Sequence, residues 1–216
     1  TENRQALHPA LRGSRDSFFP KDIMNEVTKQ KKQMLKIAEG VRNGNIKSHS
    51  GKKYTSVLAI GIGGSDLGPR MSVKALTPFK SNIDVRFVSN IDPSDLINVT
   101  ADLDPSKTLI IVSSKTFTTI ETLTNAKAAF NWLAKNIGEI GAKNQQYAIT
   151  SNFDNARKFG FDATTILLFS EWVGGRTSIW SSVGLPLAIS IGEKLFKEFL
   201  LGGHSVDKNM KNEMTD

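Results

Sequence analysis

From residue 54 onward the chain alternates short apolar runs with longer amphipathic stretches, and this alternation limits the available folds more than any other feature. Val57-Leu58-Ala59-Ile60 and Leu109-Ile110-Ile111-Val112 are continuously apolar, as strands covered on both faces of a sheet are. Strands are expected near 56–60, 83–88, 108–112, 145–150 and 164–168, and helices near 66–77, 93–101, 119–135 and 152–159. Strands separated by helices build parallel βαβ units with right-handed crossovers. The expected class is therefore α/β: a three-layer αβα, doubly wound, parallel five-stranded sheet of order 2-1-3-4-5. In that order strands 1 and 3 are neighbours across the switch point, and ligands bind beyond their carboxyl ends.

Two donor-rich turns follow those strands. The first is Gly61-Ile62-Gly63-Gly64-Ser65-Asp66-Leu67-Gly68-Pro69-Arg70. Its glycines permit positive φ and close backbone approach, and Ser65 or Asp66 is placed to cap the next helix. The dinucleotide pattern fails where Asp66 replaces its last glycine, and the P-loop pattern fails at Pro69-Arg70. The second turn is Ser113-Ser114-Lys115-Thr116-Phe117-Thr118-Thr119, with five hydroxyls and one ammonium before the stretch Glu121–Phe130, which reads as a helix. Helix capping alone, with Thr118 and Glu121 as a capping box, accounts for one or two such residues and not for six. Unpaired N–H groups and the positive end of a helix dipole suit an anion there, phosphate being the common one. A phosphate between Ser65 and the Ser114–Thr119 turn follows from spacing and topology together.

The flanks are plainer. Residues 1–20 read as irregular, with a short helix around Pro9–Leu11. Ile23, Val27, Met34, Ile37, Ala38 and Val41 then recur at helical spacing, ending where Gly40 to Gly51 turns glycine- and serine-rich. Residues 1–50 read as a helical lead packed on the domain, and 51–216 as the binding domain. Much of the net charge of +7 falls in residues 21–53, as nine Lys and Arg against Asp22, Glu26 and Glu39. No aromatic side chains interleave with these lysines as stacking platforms would, so a solvated helix face is favoured over nucleic-acid binding. The chain has no cysteine, which excludes disulfides and thiolate metal sites. No apolar run nears the roughly 18 residues of a membrane span, and no signal peptide is visible. A cytoplasmic protein without metal, nucleic acid or membrane is expected.

A third stretch, Phe169-Ser170-Glu171-Trp172-Val173-Gly174-Gly175-Arg176-Thr177-Ser178, sets a Gly-Gly-Arg between Trp172 and Trp180. A surface arginine between two core tryptophans is one reading; an oxyanion-binding guanidinium is the other. Sheet order cannot place this loop at the pocket, because strand 5 stands at the far edge. Residues 179–200 then read as a largely buried helix started or kinked by Pro186.

Gly61–Pro69, Ser114–Thr119 with Glu121-Thr122, and Trp172–Arg176 together resemble the glucose-6-phosphate isomerase family, and Val88–Asp92 and Thr1–Arg4 resemble it as well. The similarity runs in the family's order over most of the chain and points to its first sugar-isomerase (SIS) domain, residues 51–216 here. The resemblance implies interconversion of glucose 6-phosphate and fructose 6-phosphate through a cis-enediol, without cofactor, in a homodimer. It implies that Gly64, Ser65, Ser114, Lys115, Thr116, Phe117, Thr118 and Thr119 bind the sugar phosphate. It implies that Arg176 steadies the enediolate, with Gly175 and Glu121 near the site; Glu121 reads equally as a carboxylate of a first helical turn. The family's base glutamate, ring-opening histidine and lysine match nothing in these 216 residues. His8, His49 and His204 read as ordinary histidines. The chain alone is thus expected to bind without turnover and to expose apolar surface on its last helix. A non-catalytic phosphosugar-binding SIS module would share both turns but would not need Trp172–Arg176.

Overall fold

The computed structural model of the chain describes residues 7–13 and 19–213, with side chains through 210. The Thr1–Arg4 resemblance and most of the irregular lead lie outside these residues. Five parallel strands form one sheet of order β2-β1-β3-β4-β5. They are β1 (Ser56–Ile60), β2 (Asp84–Val88), β3 (Thr108–Ser113), β4 (Gln146–Thr150) and β5 (Ile166–Leu168). The expected fold class and strand order are therefore those observed. Central register runs Val57 to Leu109 and Ile60 to Val112, so β1 and β3 end side by side.

Pleating sends successive side chains to opposite faces, and two cores result. Val57, Leu109, Ile111, Ile149 and Leu167 enter one, with α1 (Lys21–Asn43), α6 (Leu185–Glu213) and part of α2 (Leu67–Ala75). Leu58, Ile60, Ile110, Val112, Ala148 and Ile166 enter the other, with α3 (Pro93–Thr100), α4 (Ile120–Asn144) and α5 (Phe153–Phe159). Burying each such aliphatic side chain contributes about 1.5–3 kcal/mol. That explains why these strands are apolar without alternation.

Two helices depart from expectation. α4 continues to Asn144, beyond the expected end near 135, across a break at Gly138 (φ 78, ψ 162). α6 begins at Leu185 instead of 179, after 3₁₀ turns at Gly175–Trp180 and Ser182–Gly184, and extends to Glu213. It breaks at Gly192 (φ 86, ψ 164), where α1 supplies both missing caps. Arg42 Nη1 donates to Ile189 O (2.7 Å) and Ser190 O (3.1 Å), while the Glu39 carboxylate accepts from Glu193 N (2.9 Å). A cation on exposed carbonyls and an anion on an exposed N–H match the charges of the two helix ends. Pro186 stands in the first turn of α6, where a missing N–H costs nothing.

Candidate functional site

The two turns meet at the carboxyl end of the sheet. Their backbones touch, since a Cβ on Gly61 would stand 3.1 Å from Ser113 O. The first turn is a short 3₁₀ segment, Gly63–Ser65, leading into α2. Asp66 sits at the N-cap of α2 without capping it. Its buried carboxylate instead accepts from Arg70 Nε (2.9 Å), and Arg70 Nη2 reaches Ser89 Oγ (3.1 Å). That pairing holds the turn against the end of β2.

The second turn is held from below by an aromatic side chain. Phe117 is 2% exposed and makes edge contacts with Phe159 and Phe161, at centroid distances of 5.7 and 5.5 Å. Its φ of +54° lies in the left-handed region, which is uncommon for a bulky residue. Turning Phe117 inward throws its neighbours outward. Thr116 and Thr118 are exposed, with hydroxyls 2.7 Å apart. The capping box that Thr118 and Glu121 could have made is not formed: Thr119 is the N-cap of α4 and no side chain caps it. Ser114 Oγ lies 3.5 Å from Thr119 Oγ1, long for two hydroxyls.

The Trp172–Arg176 loop is at this site as well, where sheet order alone could not place it. Lys115 Nζ donates to Val173 O (2.9 Å), and Ser178 Oγ donates to Gly64 O (2.8 Å). Gly64 and Gly175 are so close that a Cβ on Gly64 would fall 2.4 Å from Gly175 Cα. The reason is reach. From β5 to β1 is three strand spacings, about 14 Å, and Phe169–Gly175 can span about 23 Å when extended. A loop leaving the edge strand therefore crosses the carboxyl ends of β4 and β3 with chain to spare.

Together these segments enclose a cavity of about 170 Å³, lined by Ile62, Gly64, Ser65, Ser113, Ser114, Lys115, Thr119, Thr122, Phe169, Val173, Gly175 and Ser178. Of the residues singled out in the sequence, Gly64, Ser65, Ser114, Lys115, Thr119 and Gly175 line it. Thr116, Phe117 and Thr118 do not, and neither do half-buried Glu121 and exposed Arg176, which follows the lining residue Gly175. Ser113 counts among the hydroxyls of the second turn without being assigned to a ligand, and Thr122, Phe169 and Ser178 were not assigned to one either. Of these three, Thr122 carried a usable signal, three residues after Thr119 on the same helix face. No carboxylate or histidine lines the cavity.

The histidines are elsewhere. His8 Nδ1 is 3.2 Å from Arg12 Nη2, and burial, then that guanidinium, lowers its pKa. His49 Nδ1 is 3.2 Å from Asn144 Nδ2, and His204 is half-buried on α6. A wider, shallower depression of about 630 Å³ lies over the α6 break. Four of its charged side chains are engaged with one another, as Lys197–Glu193 (2.6 Å) and Arg42–Glu39 (3.4 Å), and Arg42 and Glu39 also cap the helix ends. Among the described residues no three acidic or histidine side chains cluster as a metal site needs, and no helix is long and apolar enough to cross a membrane.

Comparison with known proteins gives one consistent relationship. The family model for phosphoglucose isomerase matches residues 1–216. A glucose-6-phosphate isomerase of Rhizobium leguminosarum bv. trifolii is 45% identical over 214 residues, covering 98% of this chain and 40% of the relative; one from a Caulobacter species is 45% identical over 215 residues with the same coverage. The crystal structure of a glucose-6-phosphate isomerase from Chlamydia trachomatis superposes with a TM-score of 0.80 at 28% identity, covering 96% of this chain and 39% of that one. A hypothetical protein from Thermus thermophilus shares the fold, with a TM-score of 0.72 at 23% identity over 94% of this chain and 43% of that one. The chain thus spans about 40% of the length of the curated relatives it matches. On the match along its whole length, the chain belongs to the phosphoglucose isomerase family.

Proposed function

We propose that this chain carries the phosphosugar-binding face of an aldose–ketose isomerase that interconverts glucose 6-phosphate and fructose 6-phosphate through a cis-enediol. The observation that carries this reading is the convergence of three turns on one cavity at the switch point, in a chain of this family. A phosphate there faces the uncapped amino end of α4, whose N–H groups and dipole favour an anion. Ser65, Ser114 and Thr119 add hydroxyl donors and Lys115 adds positive charge. Gly64 and Phe117 take part through their backbone N–H groups, and Thr116 and Thr118 from the rim.

Arg176, with its permanent charge and fixed fork of donors, is assigned to the developing enediolate. The loop of Gly175 closes on Gly64, which has no side chain to block it, and Glu121 stands near the site in the first turn of α4. Residues 51–216 form the SIS domain, with 1–50 as its lead. The whole protein acts as a cytoplasmic homodimer without cofactor.

Proton transfer between adjacent carbons needs a positioned base, worth about 10²–10⁴-fold. The cavity wall offers none, so the 216-residue chain alone binds the sugar and does not turn it over. Two measurements on the purified chain, its mass confirmed, test this. Calorimetry should detect fructose 6-phosphate, and a coupled isomerase assay should detect no turnover. Absence of binding would remove the phosphosugar reading, and ordinary turnover would show that the assignment of the chemistry is wrong.

A further inference from the structure

Buried side-chain polar atoms almost always have a partner, and an exception calls for an explanation. Among the described residues two such atoms have no protein partner, Thr122 Oγ1 and Trp172 Nε1. One of the two, Thr122, belongs to the wall of the cavity described above, and Trp172 precedes the lining residue Val173.

Thr122 lies one turn inside α4, three residues beyond the N-cap Thr119, and is 2% exposed. Helical side chains lean toward the amino end of their helix. The Thr122 side chain is therefore carried back toward Thr119 and the cavity. A hydroxyl in a helix ordinarily satisfies itself on a carbonyl one turn earlier, as Thr100 Oγ1 does on Leu96 O at 2.8 Å. Thr122 makes no such bond. Beside it the Ser114–Thr119 contact is slack at 3.5 Å, so the hydroxyls of this wall are not locked to one another.

We propose that Thr122 is a ligand-binding residue of this cavity, its hydroxyl donating to the anionic group of the bound phosphosugar; this rests on the phosphosugar reading above. Ser114 and Thr119 turn toward the same group when it enters, and Thr122 completes its partners from one turn further along α4. An unpaired buried hydroxyl lowers stability in the empty protein, and ligand binding recovers that loss.

The test is calorimetric titration of fructose 6-phosphate and of inorganic phosphate into the wild-type chain, Thr122→Val, Thr122→Ser and Thr122→Ala, with urea unfolding of each ligand-free protein. Thr122→Val should bind both probes roughly 10- to 100-fold more weakly, the usual loss for a hydrogen bond to a charged group. Its ligand-free stability should be equal or higher, because a methyl replaces an unpaired hydroxyl. Thr122→Ser should keep most of the affinity. Equal affinity of Thr122→Val and wild type overturns the proposal, as does an affinity loss that merely follows a loss of stability. If Thr122→Val does not fold, Thr122→Ser against Thr122→Ala decides, and equal affinities overturn it. A wild-type chain that binds neither probe overturns the phosphosugar reading and this inference together; binding by wild type with no response to Thr122→Val overturns the inference alone.

Discussion

The turns after β1 and β3 end neighbouring strands and face one cavity, yet they are built from opposite materials. At Gly64 the side chain is absent so that another backbone, that of Gly175, can occupy the space where a Cβ would be. In the second turn Phe117 is driven into the core while hydroxyls and an ammonium stand around it. The first turn is a seat for a distant loop, and the second is a row of donors on an aromatic anchor. A binding site can therefore draw its shape from one turn and its chemistry from the other.

The largest effect should come from the anchor. Phe117→Ala should cost about 3–5 kcal/mol, as truncating a buried aromatic does, read by urea unfolding. A loss below about 1 kcal/mol would mean that the hydroxyl network, and not Phe117, holds the second turn. Next is the seat. Gly64→Ala should cost about 1–3 kcal/mol through forced backbone displacement and should weaken fructose 6-phosphate binding with it. Gly175→Ala meets nothing nearer than 3.6 Å and should be nearly neutral. Equal costs at the two glycines would end the idea that Gly64 is the partner without room.

Third is the difference between wall and rim. Thr119→Val should weaken binding of fructose 6-phosphate roughly tenfold, the loss of one hydrogen bond to a charged group. Thr116→Val, outside the cavity wall, should lose less, and a reversed order by calorimetry would move the phosphate toward the rim. Smallest is Asp66→Asn. With Asp66 buried but Arg70 41% exposed, the pair is worth about 1 kcal/mol or less. A larger loss in thermal unfolding would make this ion pair, and not the glycines, the main support of the first turn.

How much of this was legible depends on how local the deciding physics is. The central strands followed from Val57–Ile60 and Leu109–Val112, because burial on both faces leaves its mark within a few residues, and their order is that of a known doubly wound class. The adjacency of the two donor turns followed from that order. The end of α4 was misjudged at one glycine, and a break within α6 was missed at another. Gly138 looks like a stop and is a break between two helical pieces, and Gly192 is a break whose caps come from Glu39 and Arg42, about 150 residues away. Sheet order alone could not bring the third loop to the pocket, because the length of that loop, and not the position of its strand, was the relevant quantity. Ser178 and Phe169 became wall residues only through that crossing, which no local pattern records. The capping reading of Thr118 and Glu121 failed because the inward turn of Phe117 set the backbone there.

The bond from Ser178 Oγ to Gly64 O joins residues 114 positions apart in sequence, and this has a kinetic consequence. Closing a loop of that length is entropically late work, and here it waits for β3, β4 and β5 to be laid down. The pocket should be among the last features to assemble and among the first to open. Saturating ligand should then slow unfolding while leaving the refolding rate nearly unchanged, because interactions absent from the transition state act on the unfolding rate alone. Stopped-flow folding with and without fructose 6-phosphate would show it, and acceleration of refolding would place the clasp in the nucleus instead. On a ribosome the same order means that this cavity cannot close until residue 178 has emerged.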